Sequence, residues 1–529
     1  MSRFSLSLRG SSPAVSSLVI VLVLLLGVVL VSPLADRFGV PAPVALTLVG
    51  AVLALLPHAP RELIDPDLVL PLFLPPLLFA AAQRSSRRDF TRNWKALLAL
   101  AVGLVLVTTA VVAVVARWVD PSLPLWAAIA LGAIVSPPDP VAATSLAGRL
   151  GLPKRLVSVL EGEGLINDAV ALVVYTMAVS AALTGSLSVP DGAGTLAVSV
   201  LVAPLVGLLV GWLGRTMISH LSDPRAEVGL SLLLPYGAYL AMEELGGSGV
   251  LAVVVAGLML GERGSDAYTG AGFLAGNTVW RVLDWLIGGF AFGLVGFELV
   301  KVVADPGVPT YGAGVALAVC LAAVATRALF VLPLGWVAGR RMRKSVDQGH
   351  GWRESVVVSW AGMRGVVTLA TALALPDDFP GRPVVLFAAI AVVVVTLVGQ
   401  GLSLPWLVRA LGVRSSDEEQ DDIGRARALA AGAALARLDE LHADGRVDDE
   451  VAGAVRKRYA RSVPDLREDL PDEVQQRIFD VTKVSKHLRE AEQAAVLNLR
   501  SEGEVSAEAA DRVLRDIAAR SLRDSYRHS

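Results

Sequence analysis

Long apolar runs, each closed by proline, glycine or charge, recur along the chain up to about residue 410. Val15–Pro33, Trp94–Val115 and Val384–Val398 run about 15–22 residues with few or no charges, enough for a helix to cross a ~30 Å hydrocarbon layer. Windows of this kind predict about 13 spans, near residues 14–33, 40–57, 66–83, 94–117, 122–148, 157–184, 194–217, 228–244, 247–262, 279–300, 311–338, 354–376 and 383–410. Spans eight and nine are short and parted only by Glu243-Glu244-Leu-Gly-Gly-Ser. The first run outlasts the apolar core of a signal peptide and no A-x-A site follows it, so it reads as a retained span. The expected fold class is an all-α polytopic membrane protein.

Composition agrees: 54% of residues are hydrophobic and 18% charged, where soluble chains carry about a quarter charged. A formal net charge of −2 is too close to zero to say anything about nucleic-acid or acidic partners, and no nucleic-acid partner is expected. Cys320 is the single cysteine, which excludes a disulfide framework or a Cys-based metal site. The six histidines lie outside the apolar runs and share no ligand spacing.

The loops give an orientation. Arg84, Arg87, Arg88, Arg92 and Lys95, then Arg149, Lys154 and Arg155, then Arg215 and Arg225, then Arg340, Arg341, Arg343, Lys344 and Arg353 fall on alternate loops. The opposite set holds little beyond Arg61, Lys301 and Arg382. This positive-inside bias predicts a plasma-membrane protein with its N-terminus outside and its C-terminus in the cytoplasm. The expected domains are a short extension (1–13), a transmembrane domain (14–412), an acidic linker (413–422) and a cytoplasmic tail (423–529). In the tail, Ile423–Leu441, Asp448–Tyr459, Pro471–Leu499 and Ala507–Ser525 show helical spacing of apolar residues amid charge.

Charge inside a span is expensive and marks a candidate site. In span five, Ser136-Pro137-Pro138-Asp139-Pro140 removes three backbone donors within four residues, so the helix must break near midplane with Asp139 at the break. Such breaks persist only inside protein or beside a wet cavity. In span six, Glu161-Gly-Glu163-Gly164-Leu-Ile-Asn167-Asp168 sets acids and an amide ahead of an apolar run. Desolvation disfavours a bare carboxylate, so Asp168 is suited to hold a proton or a cation in turn, and that competition is sufficient to couple their movements. In span twelve, Trp360-Ala-Gly362-Met-Arg364-Gly365 suggests an unwound stretch with a fixed positive charge. Arg327 of span eleven is a second intramembrane cation. Each arginine is expected to need a buried acid, with Glu163 the first candidate.

Interrupted spans five and twelve are seven apart and therefore run in opposite directions. Two inverted six-helix repeats, spans 1–6 and 8–13 joined by span seven, would produce this pairing of broken crossing helices.

At these residues the chain resembles the cation:proton antiporters of the Na⁺/H⁺ exchanger type. The motifs are Leu74-Pro-Pro-Leu-Leu-Phe79, Ser-Pro-Pro-Asp139-Pro-Val-Ala, Leu160-Glu-Gly-Glu163-Gly-Leu-Ile-Asn167-Asp168-Ala and Gly362-Met-Arg364-Gly365. The resemblance spans roughly residues 15–410 and implies exchange of Na⁺ or K⁺ for H⁺ with no cofactor, in a homodimer. It implies that Asp168 carries ion and proton, Asn167 braces it, Asp139 belongs to the span-five break, Glu163 pairs with Arg327, and Arg364 belongs to broken span twelve. An Asn-Asp pair implies one cation for one proton. Ser136, Pro138 and Gly164 complete the expected surround. The chain departs from many members at Pro138 (Thr), Gly164 (Ser) and Ala80 (Glu), leaving fewer oxygen ligands and making a K⁺-tolerant site credible.

A channel or membrane sensor on the same scaffold is the alternative, but a channel calls for a continuous polar path where this chain has one midplane cluster. An enzyme reading finds no phosphate loop, metal pattern or nucleophile with a base. Asp139 and Asp168 superficially fit an aspartyl intramembrane protease, but the proline-rich break and nearby arginines favour ion transport.

Overall fold

The computed structural model describes residues 13–56, 66–84, 97–185, 189–263, 267–303, 312–342 and 352–413, with short pieces between 436 and 453. The described residues are helical, with no strand. The helices are α1 (Pro13–Arg37), α2 (Ala42–Ala54), α3 (Pro66–Arg84), α4 (Ala99–Val119), α5 (Leu125–Val135), α6 (Pro140–Leu150), α7 (Lys154–Thr184) and α8 (Val189–Ser219). They continue with α9 (Pro224–Glu243), α10 (Gly249–Arg263), α11 (Gly270–Val303), α12 (Gly312–Met342), α13 (Trp352–Trp360), α14 (Val366–Leu373) and α15 (Arg382–Leu411).

Helix lies over every apolar window read from the sequence, and among the described residues eight stretches are long and apolar enough to cross a membrane. One of these, Leu125–Ser145, takes in the α5–α6 break. Windows five and twelve are each split, into α5 with α6 and α13 with α14. Helix α5 ends at Val135 and α6 begins at Pro140, where a missing N–H costs nothing because the first helical positions lack an acceptor. Helix α11 starts nine positions ahead of its apolar window, because Thr269 caps it: its Oγ1 accepts from the Gly272 N–H at 3.0 Å. Two π-helical turns, Ala99–Leu104 in α4 and Thr396–Gln400 in α15, have no signature in the apolar pattern.

The helices pack as two bundles. Helices α1–α3 and α8–α11 form one, and α4–α7 with α12–α15 form the other, with sparser contacts between them. Helix α5 is apolar all round and buried along most of its length, as befits a core helix. Leu131, Ile134, Val319, Leu369, Val385 and Val393 make the core around it. In the first bundle Phe79, Met242, Val253 and Trp280 are packed together. On α7, Leu165, Ala169 and Leu172 join that second core, so the α7 face that also carries Asp168 is turned to the other bundle.

The chain divides into compact units Met1–Arg414 and Ser415–Ser529. In the latter, residues 438–443 are helical, Leu438 and Ala452 are buried, and His442 meets Asp449 at 3.2 Å. The rest of the expected tail helices and most of the linker lie outside the described residues, as do Arg61, Arg87, Arg88, Arg92, Lys95, Arg343 and Lys344.

Candidate functional site

The prolines of span five set the problem that the site solves. In a continuous helix the N–H of residues 137 and 140 would serve the carbonyls of Ala133 and Ser136. Proline has none. The Ser136 hydroxyl donates to the Ala133 carbonyl instead, at 3.0 Å, and Arg364 Nη2 approaches the Ser136 carbonyl at 3.5 Å. The Asp139 N–H turns away to the Met363 carbonyl at 2.7 Å, and Arg364 Nε takes its place on the Val135 carbonyl at 2.8 Å. The Pro138 carbonyl accepts from the Asn167 amide at 3.2 Å. Of the carbonyls that the break releases, Val135, Ser136 and Pro138 thus find donors from span six or twelve, and Ala133 finds one in Ser136.

The two interruptions cross. Asp139 Oδ1 accepts from the Val141 N–H at 2.8 Å and Oδ2 from the Val366 N–H at 3.4 Å, so one carboxylate closes the N-termini of α6 and α14. Arg364 serves the opposite ends. Besides the α5 carbonyls, its Nη1 donates to the Gly362 carbonyl beyond α13. A helix end carries about half an elementary charge, positive at the N-terminus and negative at the C-terminus. One carboxylate therefore matches two N-termini and one guanidinium two C-termini. The peptide N–H of Arg364 is held by Thr396 Oγ1 at 3.0 Å, from the π-turn of α15.

Arg364 differs here from its sequence reading. It is 1% exposed and was expected to face a carboxylate, yet its hydrogen-bond partners are carbonyls at helix ends. The negative ends of two half-helices do the work expected of an acid. Arg327 does meet one: Nη1 lies 2.5 Å from Glu163 Oε1 and Nη2 3.0 Å from Oε2, both side chains 1% exposed. Arg327 also donates to the Val358 carbonyl from Nε at 3.3 Å and Nη2 at 3.1 Å. It thereby ties α7, α12 and α13 together.

Asp168 is different again. It is 4% exposed, and among the described residues no hydrogen bond is made to its carboxylate, with Asp139 as its charged neighbour. Asn167 beside it is fully buried, and its Oδ1 has no donor among the described residues. Asp139 retains capacity too, since each carboxylate oxygen has two lone pairs and only one is used.

Glycines decide how closely these parts approach. A Cβ at Gly365 would collide with the Asp139 carboxylate, and one at Gly362 with the Arg327 side chain. At Gly164 it would collide with the Pro140 ring. The missing serine at 164 is therefore a matter of space as well as of chemistry. Ala80 is buried on α3. Among the described residues no group of three or more His, Cys, Asp or Glu side chains could hold a metal ion.

Sequence reading named the residues of both breaks but missed Thr396 and the amide of Gln400, whose Nε2 and Oε1 are both buried without partners among the described residues. It also missed the ion pair of Arg84 with Asp284 at 3.0 Å. Partners 200 positions apart leave no local signal.

Comparison with known proteins agrees with this architecture. The family described as "Sodium/hydrogen exchanger, transmembrane" matches residues 20–410. An uncharacterized Na(+)/H(+) exchanger of Mycobacterium tuberculosis is 32% identical, the match covering 96% of each chain. A sodium, potassium, lithium and rubidium/H(+) antiporter of Bacillus subtilis is 29% identical over 93% of this chain and 76% of its own. The sodium proton antiporter MjNhaP1 of Methanocaldococcus jannaschii matches in fold with a TM-score of 0.58 at 20% identity, over 76% of this chain and 99% of that one. The chain belongs to the transmembrane sodium/hydrogen exchanger family.

Proposed function

We propose that this protein exchanges a monovalent cation, Na⁺ and/or K⁺, for H⁺ across the plasma membrane, one for one, with Asp168 holding each in turn. One observation carries the assignment to Asp168: among the site acids it alone lacks a built-in partner. Glu163 has Arg327, and Asp139 has two helix N-termini. A carboxylate so buried is costly when bare, so it crosses the membrane only with a proton or a cation. Family membership supports cation/proton antiport. The related exchanger and antiporter named for Na⁺ alone and for Na⁺, K⁺, Li⁺ and Rb⁺ support a monovalent substrate.

Asn167 and Asp139 complete the cation's surroundings, and water supplies ligands that Pro138, Gly164 and Ala80 do not. Glu163, Arg327, Arg364 and Ser136 hold the frame. The bundle bearing these residues moves as a body against the other, presenting Asp168 to each side in turn. The protein acts in pH and cation homeostasis as a homodimer, its N-terminus outside and C-terminal tail in the cytoplasm.

The test is proton movement in everted vesicles bearing the protein, followed with a ΔpH dye while NaCl, KCl and LiCl are pulsed separately. Dequenching with Na⁺ or K⁺ that Asp168→Asn abolishes is the expected result. No response to any cation between pH 6 and 9, with folded protein in the membrane, rejects the proposal and favours a sensor.

A further inference from the structure

The π-turn Thr396–Gln400 carries two buried polar side chains, and only one of them is engaged. The Thr396 hydroxyl donates to the Val392 carbonyl at 2.8 Å and accepts the Arg364 peptide N–H at 3.0 Å. The next polar side chain, Ser403, donates to the Gly399 carbonyl at 2.6 Å and accepts from Trp360 Nε1 at 2.9 Å. Gln400 lies between them and is 4% exposed, yet neither its Nε2 nor its Oε1 has a partner among the described residues. A side-chain amide can donate two hydrogen bonds and accept two, and burying it with none made is unfavourable. Buried polar side chains are normally paired, and π-turns are frequent at functional positions.

The place of Gln400 in the fold gives this orphan a meaning. Its neighbour Gly401 stands where α15 meets α2: a Cβ there would lie 3.3 Å from Val44 of the first bundle and 3.4 Å from the Met363 sulfur of the second. Leu404, four positions on, shares the helix face of Gln400 and is fully buried. It belongs to an apolar core that takes Val28, Val44 and Leu46 from the first bundle and Met363, Leu397 and Leu404 from the second. Burial of apolar surface holds the bundles together at this core. Gln400 puts two unpaired polar atoms on the surface that makes the contact.

We propose that Gln400 is a positioning residue for bundle movement, weakening the apolar contact of α2 with α15 so that the bundles part fast enough for exchange. The inference rests on the exchanger reading above. While the helices are together the amide makes no hydrogen bond; as they part, water reaches it and satisfies both of its ends. Separation is therefore easier than it would be across a wholly apolar contact. An apolar side chain of similar size at position 400 completes the contact and holds the bundles in the arrangement described here. Such a change acts on turnover, because conformational steps set the rate of many cycles of this kind.

The test compares Gln400→Met and Gln400→Leu, both close to glutamine in volume, with wild type by three readouts. Both variants are expected to raise the thermal midpoint of detergent-solubilised protein by about 1–2 °C. Both are also expected to lower the maximal exchange rate in everted vesicles about 3- to 10-fold. The third readout is independent of transport. Val44 is 1% exposed, so in a Cys320→Ala background the thiol of Val44→Cys reacts with a maleimide only when its cover is withdrawn. Adding Gln400→Met or Gln400→Leu slows that labelling by a factor similar to the fall in exchange rate. Ordinary loss of packing does the reverse, lowering the midpoint and speeding the labelling. That pattern, or a maximal rate equal to wild type, overturns the role of Gln400 and leaves the exchanger intact. Absence of exchange in the wild type instead rejects the exchanger reading, and this inference with it.

Discussion

Three acids, Glu163 and Asp168 buried and Asp139 half-buried, share one bundle and differ in what meets them. Glu163 is locked by two hydrogen bonds to Arg327, Asp139 by two peptide N–H groups, and Asp168 by no hydrogen bond among the described residues. Removing half of a buried ion pair leaves an uncompensated charge and costs about 3–5 kcal/mol, whereas removing both halves costs much less. Glu163→Gln is therefore expected to lower the thermal midpoint of detergent-solubilised protein. Glu163→Gln combined with Arg327→Met should recover much of the loss. Midpoints that fall further in the double variant would show that the pair does not act as a unit. Glu163 and Arg327 were legible as intramembrane charges, and resemblance supplied their pairing. The role of Ser136 became clear only when the carbonyl abandoned by Pro137 was identified.

Among the elements, the crossing of α5–α6 with α13–α14 depends on contact between two loops that each carry a glycine or proline break. Gly365 has the Asp139 carboxylate where a side chain would begin. Gly365→Ala is expected to push that carboxylate off the Val141 and Val366 N–H groups and to cut exchange at least 10-fold, measured as initial ΔpH rate at matched expression. Unchanged rates would mean that the crossing tolerates a wider spacing. The breaks were readable because proline withdraws donors at known positions, and Gly-x-Arg-Gly is a poor helix. What Arg364 would bind was not readable, because half-helix ends become acceptors only once the chain is folded. The π-turn of α15, which brings Thr396 to the Arg364 peptide, was hidden for a similar reason: it alters hydrogen-bond phase without altering hydropathy.

Across the whole molecule, the apolar periods marked nearly every helix but not their division into two bundles, since that division joins α1–α3 with α8–α11 across long sequence separations. It matters because exchange by alternating access needs a seam along which one bundle can move. Gly401 of α15 stands 3.3 Å from Val44 of α2 across that seam, measured from where a Cβ would be. In a Cys320→Ala background, Val44→Cys with Gly401→Cys should form a disulfide on mild oxidation. Exchange is expected to stop on oxidation and return with dithiothreitol. Full activity in the cross-linked protein would rule out relative movement of α2 and α15.

The crossing also bears on how the membrane potential acts on this molecule. With Asp139 and Arg364 both ionised, and Glu163 and Arg327 likewise, the fixed charges of the frame sum to zero. On the proposed cycle Asp168 is neutral when it carries a proton and neutral again when it carries Na⁺ or K⁺. Moving one elementary charge through 100 mV involves ~2.3 kcal/mol, but a frame with no net charge and a loaded carboxylate offers the field nothing to pull. On that cycle the direction of exchange follows the two concentration gradients, and a cell that collapses its voltage is expected to leave the rate of exchange unchanged.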